Sequence, residues 1–190
     1  MAIGAFTNLA LMMRGWHFIP ALLASAVTSG VLGAIISRPI LRMSGIYLAI
    51  ATLALSIIIE DVSIIAEPIT GGVAGLFAPP IDMFGLKIDR YTSPAAFYYL
   101  CLTVLVIVTL GYLNLLRSAS GRSFLAVRDS EVSARALGVN VARAKTLSFA
   151  LSCAMTGLAG ALYAHLAQAV NYESFLVLIS ITLLLQVVIG

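Results

Sequence analysis

Glu60 and Asp61 are adjacent carboxylates near the end of an apolar run, LRMSGIYLAIATLALSIIIEDV. Ionisable groups inside a bilayer are costly and mark substrate paths or proton relays by default. Two readings of the pair stay open. A helix from Met43 to Ile59 already spans about 26 Å at 1.5 Å per residue, so the pair could sit among outer headgroups. Alternatively Glu60 lines a pathway, with Gln186 and Asn171 as further polar candidates for it. Cys101 and Cys153 fall inside apolar segments and read as small buried hydrophobes. No CxxC or Cys/His spacing calls for a metal or redox centre. His17 and His165 lack a second ligand at metal spacing and read as interfacial polar residues. The glycines of ITGGVAGL are not followed by GK[ST], so they do not form a nucleotide-phosphate loop.

The densest chemistry lies in 117–146. This stretch holds six of the eleven Lys and Arg residues: Arg117, Arg122, Arg128, Arg135, Arg143 and Lys145. Ser130 is placed to cap a helix from Glu131 to Leu137, with the Glu131 carboxylate at its positive end. Gly138 is a left-handed stop, since only glycine takes that conformation without a Cβ penalty. A further turn through Val141 to Lys145 then enters the membrane. Ala134 and Ala136 keep the first helix thin enough to enter a groove on another protein.

The elements that must carry these residues are membrane helices. The chain has 190 residues, 61% hydrophobic and only 10% charged, with mean hydropathy +1.07. Soluble domains carry about 25% charged residues, so this composition cannot build a water-facing surface. A bilayer core about 30 Å thick needs roughly 20 apolar residues as helix. The segments near 18–36, 43–66, 95–116, 147–170 and 175–190 meet or approach that length. The expected fold is therefore all-α: one polytopic transmembrane bundle over 1–190, with about five spans plus a partial first helix. The first dozen residues are apolar but short, and the chain stops within an apolar run. Both ends read as cut. No basic region, short apolar core and cleavage site marks a signal peptide.

Orientation follows from the cations. Short cytoplasmic loops concentrate Lys and Arg. Alternating spans put Arg38 and Arg42 on the side of the six cations of 117–146, eight in all, against Arg14, Lys87 and Arg90 on the other. That places 117–146 in the cytoplasm and 67–94 outside. It also explains the net charge of +3 without nucleic acid. The 67–94 segment carries four glycines and four prolines and reads as an irregular outer loop with turns. It is either a connection with short amphipathic pieces, or a docking surface or lid. Within the bundle, small residues let helix backbones approach in lipid. Ser25, Ser29, Gly33 and Ser37 form one such stripe. Ser152, Thr156, Gly160 and Ala164 form another, widened by Cys153, Gly157 and Ala161.

The run GRSFLAVRDSEVSARALGVNVARAKTLSFALSCAMTGLAGALYAH, residues 121–165, resembles the permease subunits of branched-chain amino acid ABC importers. It matches their pattern G-R-x-x-x-A-x-R-(D/E)-x-E-x-x-A-x-x-x-G-(I/V)-(N/D)-V at Gly121, Arg122, Ala126, Arg128, Asp129, Glu131, Ala134, Gly138, Asn140 and Val141. The following K-x-x-x-F-x-x-S and A-G-x-A-G-A-L-Y-A patterns are met through Lys145, Phe149, Ser152, Gly157, Gly160 and Leu162. Leu41, Arg42, Gly45, Ile46, Tyr47 and Thr52 resemble the family's L-R-x-x-G-I-Y-x-A-I-x-T-L-A segment, and ITGGVAGL resembles its T-G-G-x-x-G-L turn. The family's glycine-rich first helix and its glycine-rich segment after the last V-x-G are absent.

The resemblance implies a multi-pass subunit of the bacterial inner membrane that works with a second permease subunit. Cytoplasmic ABC ATPase subunits would grip the loop through Arg128, Asp129, Glu131, Ala134, Gly138, Asn140 and Lys145. A periplasmic solute-binding protein would deliver substrate to the outer face. The chain itself has no P-loop, so ATP would be bound by the partner and no cofactor of its own is expected. The implied solute is a branched-chain amino acid, with urea or short amides as the alternative within the family. A non-transporting truncated permease is a further alternative. A membrane-embedded enzyme would need paired ionisable groups in the bilayer, which only Glu60 and Asp61 approach.

Overall fold

An apolar chain in lipid must satisfy its own backbone polar groups, which leaves helices as the economical solution. A computed structural model describes residues 1–40, 46–83, 86–88, 93–175 and 177–190. Nine α-helices lie among the described residues. They are α1 (Ala2–Met13), α2 (Phe18–Ile40), α3 (Ile46–Ile65), α4 (Glu67–Thr70), α5 (Pro94–Arg117), α6 (Ala119–Asp129), α7 (Glu131–Ala136), α8 (Val141–Ala167) and α9 (Val177–Ile189). Leu41, Arg42 and Gly45 of the sequence pattern, and the orientation cation Arg90, lie outside the described residues.

The molecule is an all-α transmembrane bundle. Three stretches are long and apolar enough to cross a bilayer: Phe18–Pro39, Pro94–Arg117 and Val141–Ala167. α3 has 20 residues, about 30 Å at 1.5 Å per residue. The 175–190 segment departs from the expected span. Residues Tyr172–Phe175 form a 3₁₀ turn and α9 has 13 residues, about 20 Å of helix. α8 begins six residues before the expected 147 because the Asn140 side chain caps it, accepting from the Arg143 N–H at 3.0 Å.

α1, α2 and α8 form the packed centre. Small side chains decide how close they come. A Cβ built on Gly157 would lie 2.4 Å from Ser29 Oγ, 2.6 Å from Ser29 Cβ and 2.9 Å from the Ser25 carbonyl. A Cβ on Gly33 would lie 2.6 Å from Cys153 Cβ. Ser25, Ser29, Gly33, Gly157 and Gly160 are all buried in this contact, whereas Ser152 and Thr156 are exposed. The close-packed face of α8 is therefore centred on Gly157 and Ala161. His165 is not interfacial: it is 3% exposed, edge-on to Phe18 with ring centroids 5.4 Å apart. Its Nε2 lies 3.0 Å from Asn8 Oδ1, a geometry in which Nε2–H donates to the amide oxygen.

The described residues of 67–94 form short paired strands as well as turns. β1 (Leu76–Phe77) pairs antiparallel with β4 (Ala169–Val170), Leu76 opposite Val170. β2 (Ile81–Met83) pairs with β3 (Leu86–Ile88) as a hairpin. Thr70 Oγ1 donates to the Ser63 carbonyl at 2.6 Å, and the Gly72 N–H donates to Thr70 Oγ1 at 3.2 Å. The TGG turn is thereby pinned to the end of α3. Ile81, 1% exposed, packs with Phe18, Leu22, Phe97 and Ala161 and closes that end of the bundle.

Candidate functional site

At the end opposite β1–β4, α6, α7 and the start of α8 make a compact elbow. Ser118 caps α6, accepting from the Gly121 N–H at 3.3 Å. Ser130 caps α7, accepting from the Ser133 N–H at 3.2 Å. Gly138 follows α7 with φ +81°, a conformation that favours glycine. A Cβ there would meet no atom within 4 Å, so backbone conformation alone demands the glycine.

Ala134 does not present a thin outer face. It is 1% exposed and packs with Val127, Val141, Ala144 and Phe124 under the elbow. The outward face is built by Val132 and Leu137, exposed to 81% and 80%. Sequence reasoning passed over both. Their signal was two branched apolar residues in a charged stretch, where solvation alone would favour polar ones.

Charge braces the same elbow. Lys145 Nζ lies 2.5 Å from Glu131 Oε1, tying α7 to α8. Both side chains are partly exposed, and such pairs contribute about 0–1 kcal/mol, so the pair's effect is positional. Arg38 from α2 joins Glu131, Arg135 and Lys145 around a depression of about 260 Å³. Three chain segments thus bring three cations and one carboxylate together. Arg128, Asp129 and Asn140 are exposed and do not line it.

A second concavity lies within the bundle. A cleft of about 300 Å³ runs between the start of the chain, α3, α8 and α9. Thr52, Ser56, Glu60 and Ser63 of α3 line it, with Ser180 of α9 and Thr156 of α8. Phe6, Leu55, Ile59, Phe175 and Leu183 supply its apolar wall. Positions 52, 56, 60 and 63 fall on one face because helical neighbours recur every three to four residues. Glu60 therefore faces the cleft and Asp61 does not line it. Gln186 is exposed on α9, away from the cleft. Among the described residues, no group of three or more His, Cys, Asp or Glu side chains could hold a metal.

The family model described as branched-chain amino acid transport system / permease component matches residues 1–190. The chain is 34% identical to the high-affinity branched-chain amino acid transport system permease protein LivM of Salmonella typhimurium. It is 33% identical to the protein of the same name in Escherichia coli. Each alignment covers 100% of this chain and 50% of the relative. The probable branched-chain amino acid transport permease protein LivM of Methanocaldococcus jannaschii is 27% identical over 76% of this chain and 41% of its own length. The chain thus spans about half the length of the curated relatives it matches. No solved structure matches it.

Proposed function

Because the chain belongs to the branched-chain amino acid transport permease family, we propose that it forms the membrane path of an ATP-driven importer of branched-chain amino acids. It lies in the inner membrane with the basic elbow in the cytoplasm and the β1–β4 end outward. A separate ABC ATPase docks on α7 and pushes it. A second permease subunit completes the pathway, and a periplasmic binding protein delivers solute to the outer end.

The observation that carries this reading is the face of α7. Val132 and Leu137 stand exposed on a charged elbow, uncovered among the described residues, while Ala134 packs α7 onto α8 and the Glu131–Lys145 pair positions it there. A force on α7 therefore reaches α8 directly, and α8 packs on α2 through glycine and serine contacts. A short apolar helix face in a basic surround suits a groove with an acidic rim.

The test is retention of the ATPase by the purified permease. Val132→Asp with Leu137→Asp places two charges at the centre of the contact and lowers retention at least about tenfold. Deleting 128–140 abolishes it. Unchanged retention after either change refutes the docking role.

A further inference from the structure

We propose that the cleft between α3 and α9 binds the transported amino acid, with Glu60 taking its α-ammonium group. The proposal deepens the importer reading and rests on it. Glu60 is half-buried at the cleft wall. It stands five residues before the end of α3, about 7.5 Å inward along the helix. Its carboxylate has no hydrogen-bond or ion-pair partner among the described residues. A half-buried carboxylate without a direct ion pair is costly unless something cationic visits it. Arg38, Arg135 and Lys145 surround the elbow depression rather than the cleft, and the α-ammonium of Met1, a residue that also lines the cleft, makes no ion pair with Glu60 among the described residues.

The rest of the cleft fits the remaining parts of a branched amino acid. Ser56 lies one turn below Glu60 on the same face, and Ser180 faces it from α9. Neither hydroxyl makes a hydrogen bond among the described residues, so both are free to donate to a carboxylate. Leu55, Ile59 and Leu183 offer an apolar wall to the side chain. The volume of about 300 Å³ is at the small end of ligand sites, which run from roughly 300 to 1,000 Å³. That suits one amino acid and is too small for a peptide. Urea and short amides can donate N–H groups to Glu60 but bring no positive charge to offset its own, and they leave the apolar wall unfilled.

The experiment measures binding to the whole purified permease in detergent, with L-leucine and 4-methylpentanoate as probes. The second is leucine without its ammonium group. The wild-type protein is expected to prefer leucine by at least about tenfold, the size of a hydrogen bond to a charged group. Glu60→Gln is expected to bring the two affinities within about threefold of each other. Ser56→Leu, which fills the cleft and keeps the carboxylate, is expected to weaken both probes. A Glu60→Gln protein that still prefers leucine as the wild type does overturns the proposal, as does a wild-type protein that binds both probes equally or neither. Should Glu60→Gln fail to fold, protection of a cysteine at position 56 from maleimide decides: leucine slows labelling if the site is real, and labelling unchanged by leucine overturns it. ATPase retention through α7 is measured on the same samples. Absence of retention by the wild-type protein, together with Glu60-dependent leucine binding, would refute the importer reading and leave the site standing.

Discussion

Replacing Gly157 with alanine adds one methyl group at the tightest contact between α2 and α8. The added carbon would stand 2.6 Å from Ser29 Cβ and 2.9 Å from the Ser25 carbonyl. The Ser29 hydroxyl can rotate away, but its Cβ and the Ser25 backbone move only with α2. Ordinary contacts of this kind lie near 3.5–4.0 Å, so the helices must separate by about 1 Å. Overpacking of this sort costs about 1–3 kcal/mol. Alanine also favours a helix over glycine by about 1 kcal/mol, which offsets part of that. Gly111→Ala in α5 isolates the offset, because a Cβ there meets nothing within 4 Å. The two variants share the propensity gain and differ by the clash alone, so Gly157→Ala should be the less stable by about 1–3 kcal/mol. Unfolding of both proteins in mixed detergent micelles, followed by circular dichroism, measures the difference. Equal stabilities would refute the close packing of α2 on α8.

Gly138→Ala meets no neighbour but must hold φ +81°, which costs about 1–2 kcal/mol in the left-handed region. It should loosen the elbow, read as faster amide exchange through α7, with the bundle's melting temperature unchanged; unaltered exchange would contradict the strain assignment. Asn8→Ala leaves His165 Nε2 without its amide partner in a buried site and should destabilise by about 1–3 kcal/mol. The double change Asn8→Leu with His165→Phe removes both polar groups and should cost less than the single one in the same unfolding assay. Glu131→Gln removes one partly exposed ion pair and should change stability by no more than about 1 kcal/mol; a larger loss would mean the pair carries the elbow.

The main features of the bundle were readable in the sequence because membrane helices announce themselves by length and apolarity. Ser130, Glu131 and Gly138 bounded α7 because caps and stops act through local chemistry. What stayed hidden depends on distant partners. The true packing face of α8 is set by where Ser25 and Ser29 meet it, a long-range contact that spacing alone does not fix. His165 looked like a headgroup residue because Asn8, its partner, lies 157 positions away. The β1–β4 pair joins two-residue segments whose composition carries no strand signal. Ala134 turned inward because the elbow folds back on α8, which left Val132 and Leu137 outside. Glu60 and Asp61 were indistinguishable by type, and only the 100° step of the helix sends one to the cleft.

A single cysteine at position 135, in a protein whose native Cys101 and Cys153 are replaced, asks where the elbow lies. Membrane-impermeant maleimide added to intact cells should leave it unlabelled, and the same reagent should label it fully in inverted membrane vesicles. Labelling from outside intact cells would put α7 beyond the reach of any cytoplasmic motor and contradict the account.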